Sequence, residues 1–321
     1  MPHSTTTSST DGPTAGPAAT RRALLMVNPK ARNGSVPLDA VRDVLRSGGI
    51  EPYEPKGDPD CSLVIRREAA GANLIILGGG DGTMNSAAPA LVETGLPLGI
   101  LPLGTANDLA RSLDIPLDPV EAARVITTAE PHPVDLGWVN EHYYFNVASI
   151  GFSADLAAEL TSEAKKRWGS LGYAIAAFRL LRKARPFSIE IEHDGTSERV
   201  TTIQASVGNG RHYGGGMTVS EDATVDDGKL DFYSLEVNHW WRLIALLPAL
   251  RRGTHGQAAD VRAFRTTQIV LRTKRPRPVN TDGELATQTP AHFKVMPKAV
   301  RIFAPPQDER AVPNVRFPMP F

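Results

Sequence analysis

The sequence predicts two domains: an α/β domain with a parallel sheet flanked by helices, then a mainly antiparallel β-rich domain carrying helices. Three observations carry that prediction. Between residues 21 and 135, short apolar runs of strand length alternate with segments whose apolar residues recur at helical spacing. From about Asp135 onward, strand-like runs are separated by turn residues. Finally, 321 residues that are 41% hydrophobic suffice for one large domain or two of ordinary size.

In chain order, Met1–Thr20 is Ser, Thr, Pro, Gly and Ala with almost no bulky apolar side chain, and reads as a disordered leader. Ala23–Val27 is the first strand. Val36–Arg46 places Leu38, Val41, Val44 and Leu45 on one helical face and stops at Gly48-Gly49. Asn73–Leu77 is a second buried strand running into three glycines, Thr83–Glu93 the helix behind it, and Pro97–Leu101 a third strand. This alternation implies βαβ units with right-handed crossovers. In the second half, Tyr143–Ile150, Ser188–His193, Val200–Val207, Leu230–Leu235 and Thr267–Thr273 read as strands, and Ser170–Arg185 and His239–Arg252 as helices. The resulting division is a leader at 1–20, an α/β domain at 21–135, a β-rich domain at 136–303 and a tail at 304–321, with a return to the first domain open to it.

Composition excludes several functions. Lys+Arg and Asp+Glu are 35 each, so a general polyanion binder, and with it a nucleic-acid partner, is not expected. A single cysteine, Cys61, excludes a disulfide framework and a cysteine-based zinc cluster. The longest uncharged run, Thr94–Asn107, is broken by two prolines and three glycines and is no membrane span; no hydrophobic signal follows Met1. A cytoplasmic protein is the expectation.

Two loops carry the chemistry. Gly78-Gly79-Gly80-Asp81-Gly82-Thr83 lies between a strand and a helix, where glycines let the backbone approach a phosphate and the helix N-terminus offers N–H groups. Neither GxGxxG nor a Walker lysine is present. A plain glycine-rich turn is the alternative, made less attractive by Asp81, an acid of the kind that binds Mg²⁺ beside phosphates. Leu101–Asp108 again ends a strand and opens a helix, Leu109–Leu113, so the two loops would share one crevice at the C-terminal sheet edge. For Asn107 and Asp108 ordinary helix capping is the competing reading. Asp282, in Val279–Glu284, is by itself a turn residue after a strand.

Together these motifs resemble the diacylglycerol-kinase catalytic family, above all its soluble bacterial YegS- and DgkB-type lipid kinases, which sphingosine and ceramide kinases also resemble. The residues that carry the likeness are GGGDGT at 78–83, PLGTANDLA at 102–110 and DGE at 282–284, joined by Asn28–Gly34, Gly208–Gly210, Gly214–Met217 and Ala223–Leu230. They run in order from about Arg22 to Ala304. The resemblance implies ATP and Mg²⁺ as cofactors. ATP would lie on Asn28, Gly79, Gly80, Asp81, Gly82, Thr83, Met84, Asn85 and Ser86, with Thr105 reaching the nucleotide from the second loop. Asp81, Asp108 and Asp135 match acids that organise Mg²⁺, and Asp282 matches the general base that deprotonates the lipid hydroxyl. A second, structural metal would map to Thr224, Asp227 and Lys229, two of them through main-chain carbonyls. Two departures stand out: Tyr53 where the family has Thr, and Glu221 where proline is common.

A lipid kinase must meet a bilayer. Lys165–Arg185 holds seven Lys/Arg and no acid, with Leu171, Tyr173, Ile175, Phe178 and Leu181 interleaved; His239–Arg252 carries Trp240 and Trp241 on a basic helix. Such helices suit anionic surfaces; for each taken singly, packing of its apolar stripe on the second domain is the stronger reading, and at least one of the two is expected to assist docking. The expectation is thus an ATP- and Mg²⁺-dependent lipid kinase in peripheral contact with a membrane. An NAD-kinase-like enzyme, sharing GGDGT, and a non-catalytic lipid- or nucleotide-binding module are the alternatives. Oligomeric state stays open, a homodimer included.

Overall fold

The computed structural model describes residues 20–28, 37–55, 60–159, 185–209, 212–213, 217–218, 224–237 and 260–306. The expected leader up to residue 19, the two basic helices except Arg185, and the tail beyond 306 lie outside the described residues.

The first half begins with β1 (Arg21–Val27), α1 (Leu38–Ser47), β2 (Ile50–Tyr53) and α2 (Cys61–Glu68). It continues through β3 (Leu74–Gly79), α3 (Asp81–Thr94), β4 (Leu98–Pro102), α4 (Asp108–Ser112) and α5 (Pro119–Thr128). The four strands pair in parallel in the order β2-β1-β3-β4. Every residue of β3 and β4 is buried, as expected of parallel strands covered on both faces. Two helices that apolar periodicity does not reveal have strong local causes. Asp118 accepts N–H bonds from Val120 (2.9 Å) and Glu121 (3.0 Å) to start α5, with Pro119 at its first position. Asp60 does the same for α2 through Leu63 N–H at 3.1 Å.

The second half opens with β5 (Pro131–Val139), β6 (His142–Tyr144), β7 (Val147–Gly151) and α6 (Phe152–Glu159). Next come β8 (Phe187–His193), β9 (Thr196–Thr202), β10 (Gln204–Gly208) and a short pair, β11 (His212–Tyr213) with β12 (Met217–Thr218). Finally come β13 (Leu230–Leu235), β14 (Val261–Thr266), β15 (Gln268–Thr273), β16 (Pro278–Thr281), β17 (Glu284–Gln288) and β18 (Ala291–Phe303). Six of these form one antiparallel sheet, β14-β13-β10-β7-β16-β17. The α/β-plus-antiparallel architecture is the one the sequence predicts.

The 13-residue β18 ties the halves together. Its first residues pair with β15, its far end meets β4 in parallel at Ile302↔Leu98, and β5 runs antiparallel along its other side. The parallel sheet therefore continues into the second half as a ten-stranded sheet. One core, with Leu24, Ile75, Ile100, Ala88 and Ile126, lies under the parallel strands. A second lies between the two sheets: Ile189, Ile191, Ile269, Leu271 and Phe293 join Ala148, Ile150, Ala205, Val207, Phe232 and Val279.

Two expected strands divide, each for a visible reason. Val200–Val207 breaks at Ile203, where the chain leaves the larger sheet for the six-stranded one. Tyr143–Ile150 breaks at Phe145-Asn146, whose amides turn away from the ladder toward Asp282.

Tyr144 belongs to the second core and is wholly buried, its ring lying where a Cβ on the facing Gly137 would have to sit. Its hydroxyl has no hydrogen-bond partner among the described residues, and burial, aided by the charge of Asp282, pushes the phenol well above its ordinary range. A buried hydroxyl without a partner costs stability. Tyr144→Phe is therefore expected to leave the melting temperature unchanged or raise it, whereas Gly137→Ala lowers it; thermal unfolding by circular dichroism checks both.

Candidate active site

β3 ends on Gly78-Gly79, and Gly80 caps α3 in extended backbone (φ −103°, ψ −171°). Gly80 brings no side chain to cap α3, so among the described residues the helix N-terminus is left open to an anion. The Gly80 carbonyl takes the amides of Thr83 (2.9 Å) and Met84 (3.2 Å). Gly78 and Gly79 sit opposite Leu101 and Pro102, so the two glycine loops leave adjacent strands side by side. They touch: a Cβ on Gly104 would lie 2.5 Å from Gly80 Cα, and one on Gly80 would lie 3.0 Å from Gly104 Cα. Asn28, at the end of β1, completes this wall, its amide on Gly78 O at 2.8 Å and its Nδ2 donating to Thr83 Oγ1 at 3.3 Å.

The remaining loop residues divide by direction. Met84 is buried in the first core, which leaves only its backbone for a ligand. Ser86 Oγ turns back onto Thr83 O at 2.9 Å, while Thr105 is exposed at the rim. Asn85 Oδ1 is buried and has no hydrogen-bond partner among the described residues. Asn107, in left-handed backbone (φ 52°), precedes α4 but does not cap it with its side chain. It closes the loop on itself instead, Oδ1 accepting Gly104 N–H at 2.8 Å and Nδ2 donating to Gly104 O at 3.1 Å. The acceptor at the start of α4 comes from the other loop: Asp81 Oδ1 takes the Leu109 amide at 3.1 Å. Asp108, the first residue of α4, is buried beside it.

Asp282 and Gly283 form a tight turn between β16 and β17 with φ of 48° and 97°, the mirror-type hairpin that Asp-Gly favours. This turns the Asp282 carboxylate inward onto three amides. Oδ2 accepts Phe145 N–H at 2.7 Å; Oδ1 accepts those of Asn146 and Val147, each at 3.0 Å. Burial is the largest influence and raises the carboxyl to about 6; the three amides oppose it, and the charge of Asp81 adds to it. The first loop and the Asp282 turn therefore face one another. Glu284 Oε1 marks the same approach, lying 3.1 Å from where a Cβ on Gly82 would stand.

The other acids stand on different ground. Asp135, 2% exposed on β5, has both oxygens on amides: Oδ2 on Gly228 N–H at 2.6 Å and Oδ1 on Lys298 N–H at 2.7 Å. Its own amide donates to Val225 O at 2.7 Å. Thr224, Asp227 and Lys229 share that 224–229 turn, where Asp227 Oδ1 accepts Lys229 N–H at 3.0 Å. Burial raises the Asp227 carboxyl, and the Asp135 charge contributes. Among the described residues no three His, Cys, Asp or Glu side chains are grouped to hold a metal ion. That still fits Mg²⁺, which takes oxygen ligands and is commonly held by one or two carboxylates together with substrate phosphates.

Residues 22–139 match the model of the diacylglycerol kinase catalytic domain, and residues 146–304 that of the YegS C-terminal NAD kinase beta sandwich-like domain. A Pseudomonas putida protein named "Probable lipid kinase YegS-like" is 31% identical over 297 residues, 89% of this chain and 96% of that one. The chain belongs to the diacylglycerol kinase family. A Mycobacterium tuberculosis relative named "Diacylglycerol kinase" is 30% identical over 250 residues, covering 76% of this chain and 80% of its own. A crystal structure of a candidate diacylglycerol kinase from Bacillus anthracis superposes with a TM-score of 0.78 at 26% identity, over 92% of this chain and 99% of that one.

The chain is thus a kinase, and the non-catalytic alternative is set aside. Three features of this kinase's site are invisible to sequence reasoning: the Asp81 cap on α4, the approach of Glu284 to Gly82, and the amide cradle of residues 145–147. The Asp-Gly turn signals the hairpin at Asp282, but no local pattern signals which backbone it meets.

Proposed function

We propose that the chain transfers the ATP γ-phosphoryl group to a hydroxyl of a diacylglycerol-like lipid, with Asp282 as general base. The reading rests chiefly on the Asp282 carboxylate, set facing an uncapped helix N-terminus between two glycine loops. A carboxylate has about four lone-pair sites. Among the described residues Oδ1 spends two on Asn146 and Val147 and Oδ2 one on Phe145, so Oδ2 retains one for a substrate proton.

In the proposed step the lipid oxygen attacks the γ-phosphorus while its proton passes to Asp282 Oδ2. The bond to the β,γ-bridging oxygen breaks, leaving ADP and a phosphorylated lipid. Phosphoryl transfer asks mainly for positioning and charge neutralisation, and a carboxyl near 6 is ionised and proton-accepting at neutral pH. The loop 79–86, Asn28 and Thr105 would receive the nucleotide. Asp81 and Asp108 would hold Mg²⁺, whose chemistry is to neutralise the transferred group. Asp135, whose oxygens both serve amides, would act from behind them, and the 224–229 turn would carry the structural cation. The nucleotide would occupy the domain at 21–135 and the lipid that at 136–303. Among the described residues no helix is long and apolar enough to cross a membrane. The lipid would be met at a bilayer surface.

The test uses purified protein, γ-labelled ATP and Mg²⁺ with dispersions of diacylglycerol, monoacylglycerol, phosphatidylglycerol and sphingosine, and with NAD. Label entering a glycerolipid is the expected result. Label entering NAD alone, or inorganic phosphate alone, would overturn the proposal.

A further inference from the structure

We propose that Asn209 is a positioning residue for Asp282, holding from behind the peptide planes that cradle the carboxylate. The inference rests on the reading of Asp282 as base and adds a residue to it.

Asn209 follows β10 and is 1% exposed. Its side-chain Nδ2 donates to Phe145 O at 3.0 Å and to Asp135 O at 2.8 Å, and its own amide donates to Asn146 O at 2.8 Å. In a trans peptide the C=O and the following N–H belong to one rigid plane and point in opposite directions. The plane joining Phe145 and Asn146 therefore gives its N–H to Asp282 and its C=O to Asn209. The next plane, joining Asn146 and Val147, does the same. Two consecutive planes are pinned between the carboxylate on one side and a single asparagine on the other. Neither can tilt without lengthening a bond to Asp282 Oδ1.

The chemistry of the asparagine is specific. Its NH₂ faces two carbonyl oxygens, so a carboxylate at 209 would set negative oxygens against them, and an apolar residue would release both. Asn209 Oδ1 is meanwhile buried without a partner among the described residues, so the grip on the cradle comes from its two donors, Nδ2 and the main-chain amide. Through Asp135 the same side chain ties the cradle to the 224–229 turn and the kink of β18 at Lys298, which fixes the cradle to both sheets.

The test compares wild type, Asn209→Ala, Asn209→Ser and Asp282→Ala for nucleotide affinity by calorimetry and for kcat/KM against pH. Asn209→Ala is expected to lower kcat about tenfold or more while nucleotide Kd stays unchanged. The amides depress the Asp282 pKa, so loosening them should move the acid limb of kcat/KM to higher pH. Asn209→Ser, which keeps one donor, should fall between, and carries the same readouts if the alanine variant does not fold. An unmoved limb, unchanged kcat, or nucleotide affinity lost in parallel with turnover overturns the role of Asn209. Wild-type turnover in Asp282→Ala would instead remove the base itself, and with it both readings.

Discussion

Asp282→Ala is expected to lower kcat by about 10²–10⁴-fold, the usual worth of a positioned general base, with nucleotide affinity retained. The loops proposed to receive the nucleotide are built on β1, β3 and β4, while Asp282 stands on the β16–β17 hairpin, so binding and proton transfer should separate cleanly. Asp282→Asn is expected to be as inactive. It keeps the left-handed turn but sets an NH₂ group against at least one cradle amide and cannot take a proton. In wild type, kcat/KM should fall as pH drops through about 6, where the buried carboxyl becomes protonated. Stability carries the same signature. The folded pKa, about 6, lies above the ordinary 3.8, so the native state binds this proton more tightly than the unfolded chain. The resulting stabilisation is fully present below about 3.8 and is lost as pH rises through about 6. Denaturant titrations of wild type and Asp282→Ala across pH 4–7 check this: their stability difference should change over that window. Turnover in Asp282→Ala at the wild-type rate would sink the assignment.

How legible the molecule is in its sequence depends on the range of each interaction. β1, β3, β4 and α3 are readable because apolar periodicity and glycine punctuation are local properties. α2 and α5 are signalled just as locally, by Asp60 and by Asp118-Pro119, but through caps rather than through the periodicity that marks the other helices. β18 is not readable as one element. Its alternation is interrupted near Lys298, and its pairing with β4, β5 and β15 joins residues far apart in the chain. The same distinction holds at the site. Gly79–Thr83 and Asp282 announce themselves as turns, whereas the bond from Leu109 to Asp81 and the hold of Asn209 on Phe145 span 28 and 64 residues. Asn107 shows how a correct motif can carry the wrong local reading. A polar residue before a helix suggests a cap, yet its side chain serves Gly104 and Asp81 reaches α4 instead.

Gly104→Ala should have the largest effect on nucleotide binding. The new Cβ would stand 2.5 Å from Gly80 Cα and 2.7 Å from Asn107 Oδ1. The first is backbone and cannot swing aside as a side-chain tip would, so the two loops must part. Asn107 Oδ1 is also the acceptor for the Gly104 amide, and α4 begins at the next residue, so the displacement reaches the Asp81–Leu109 bond. Losing one hydrogen bond to a charged phosphate costs about 1.5–3 kcal/mol, so nucleotide Kd is expected to rise by roughly 10–10²-fold. Gly95→Ala separates this from a general weakening of the fold. Gly95 ends the same helix, α3, in left-handed backbone (φ 63°), and a Cβ there would meet none of the described residues within 4 Å. Alanine there carries about 1–2 kcal/mol of backbone strain and no collision. It should lower the melting temperature and leave nucleotide Kd untouched. Calorimetric titration of both variants with an ATP analogue gives the comparison. Wild-type affinity in Gly104→Ala would place the nucleotide elsewhere, because no phosphate could lie against two loops that had been forced apart without registering the change.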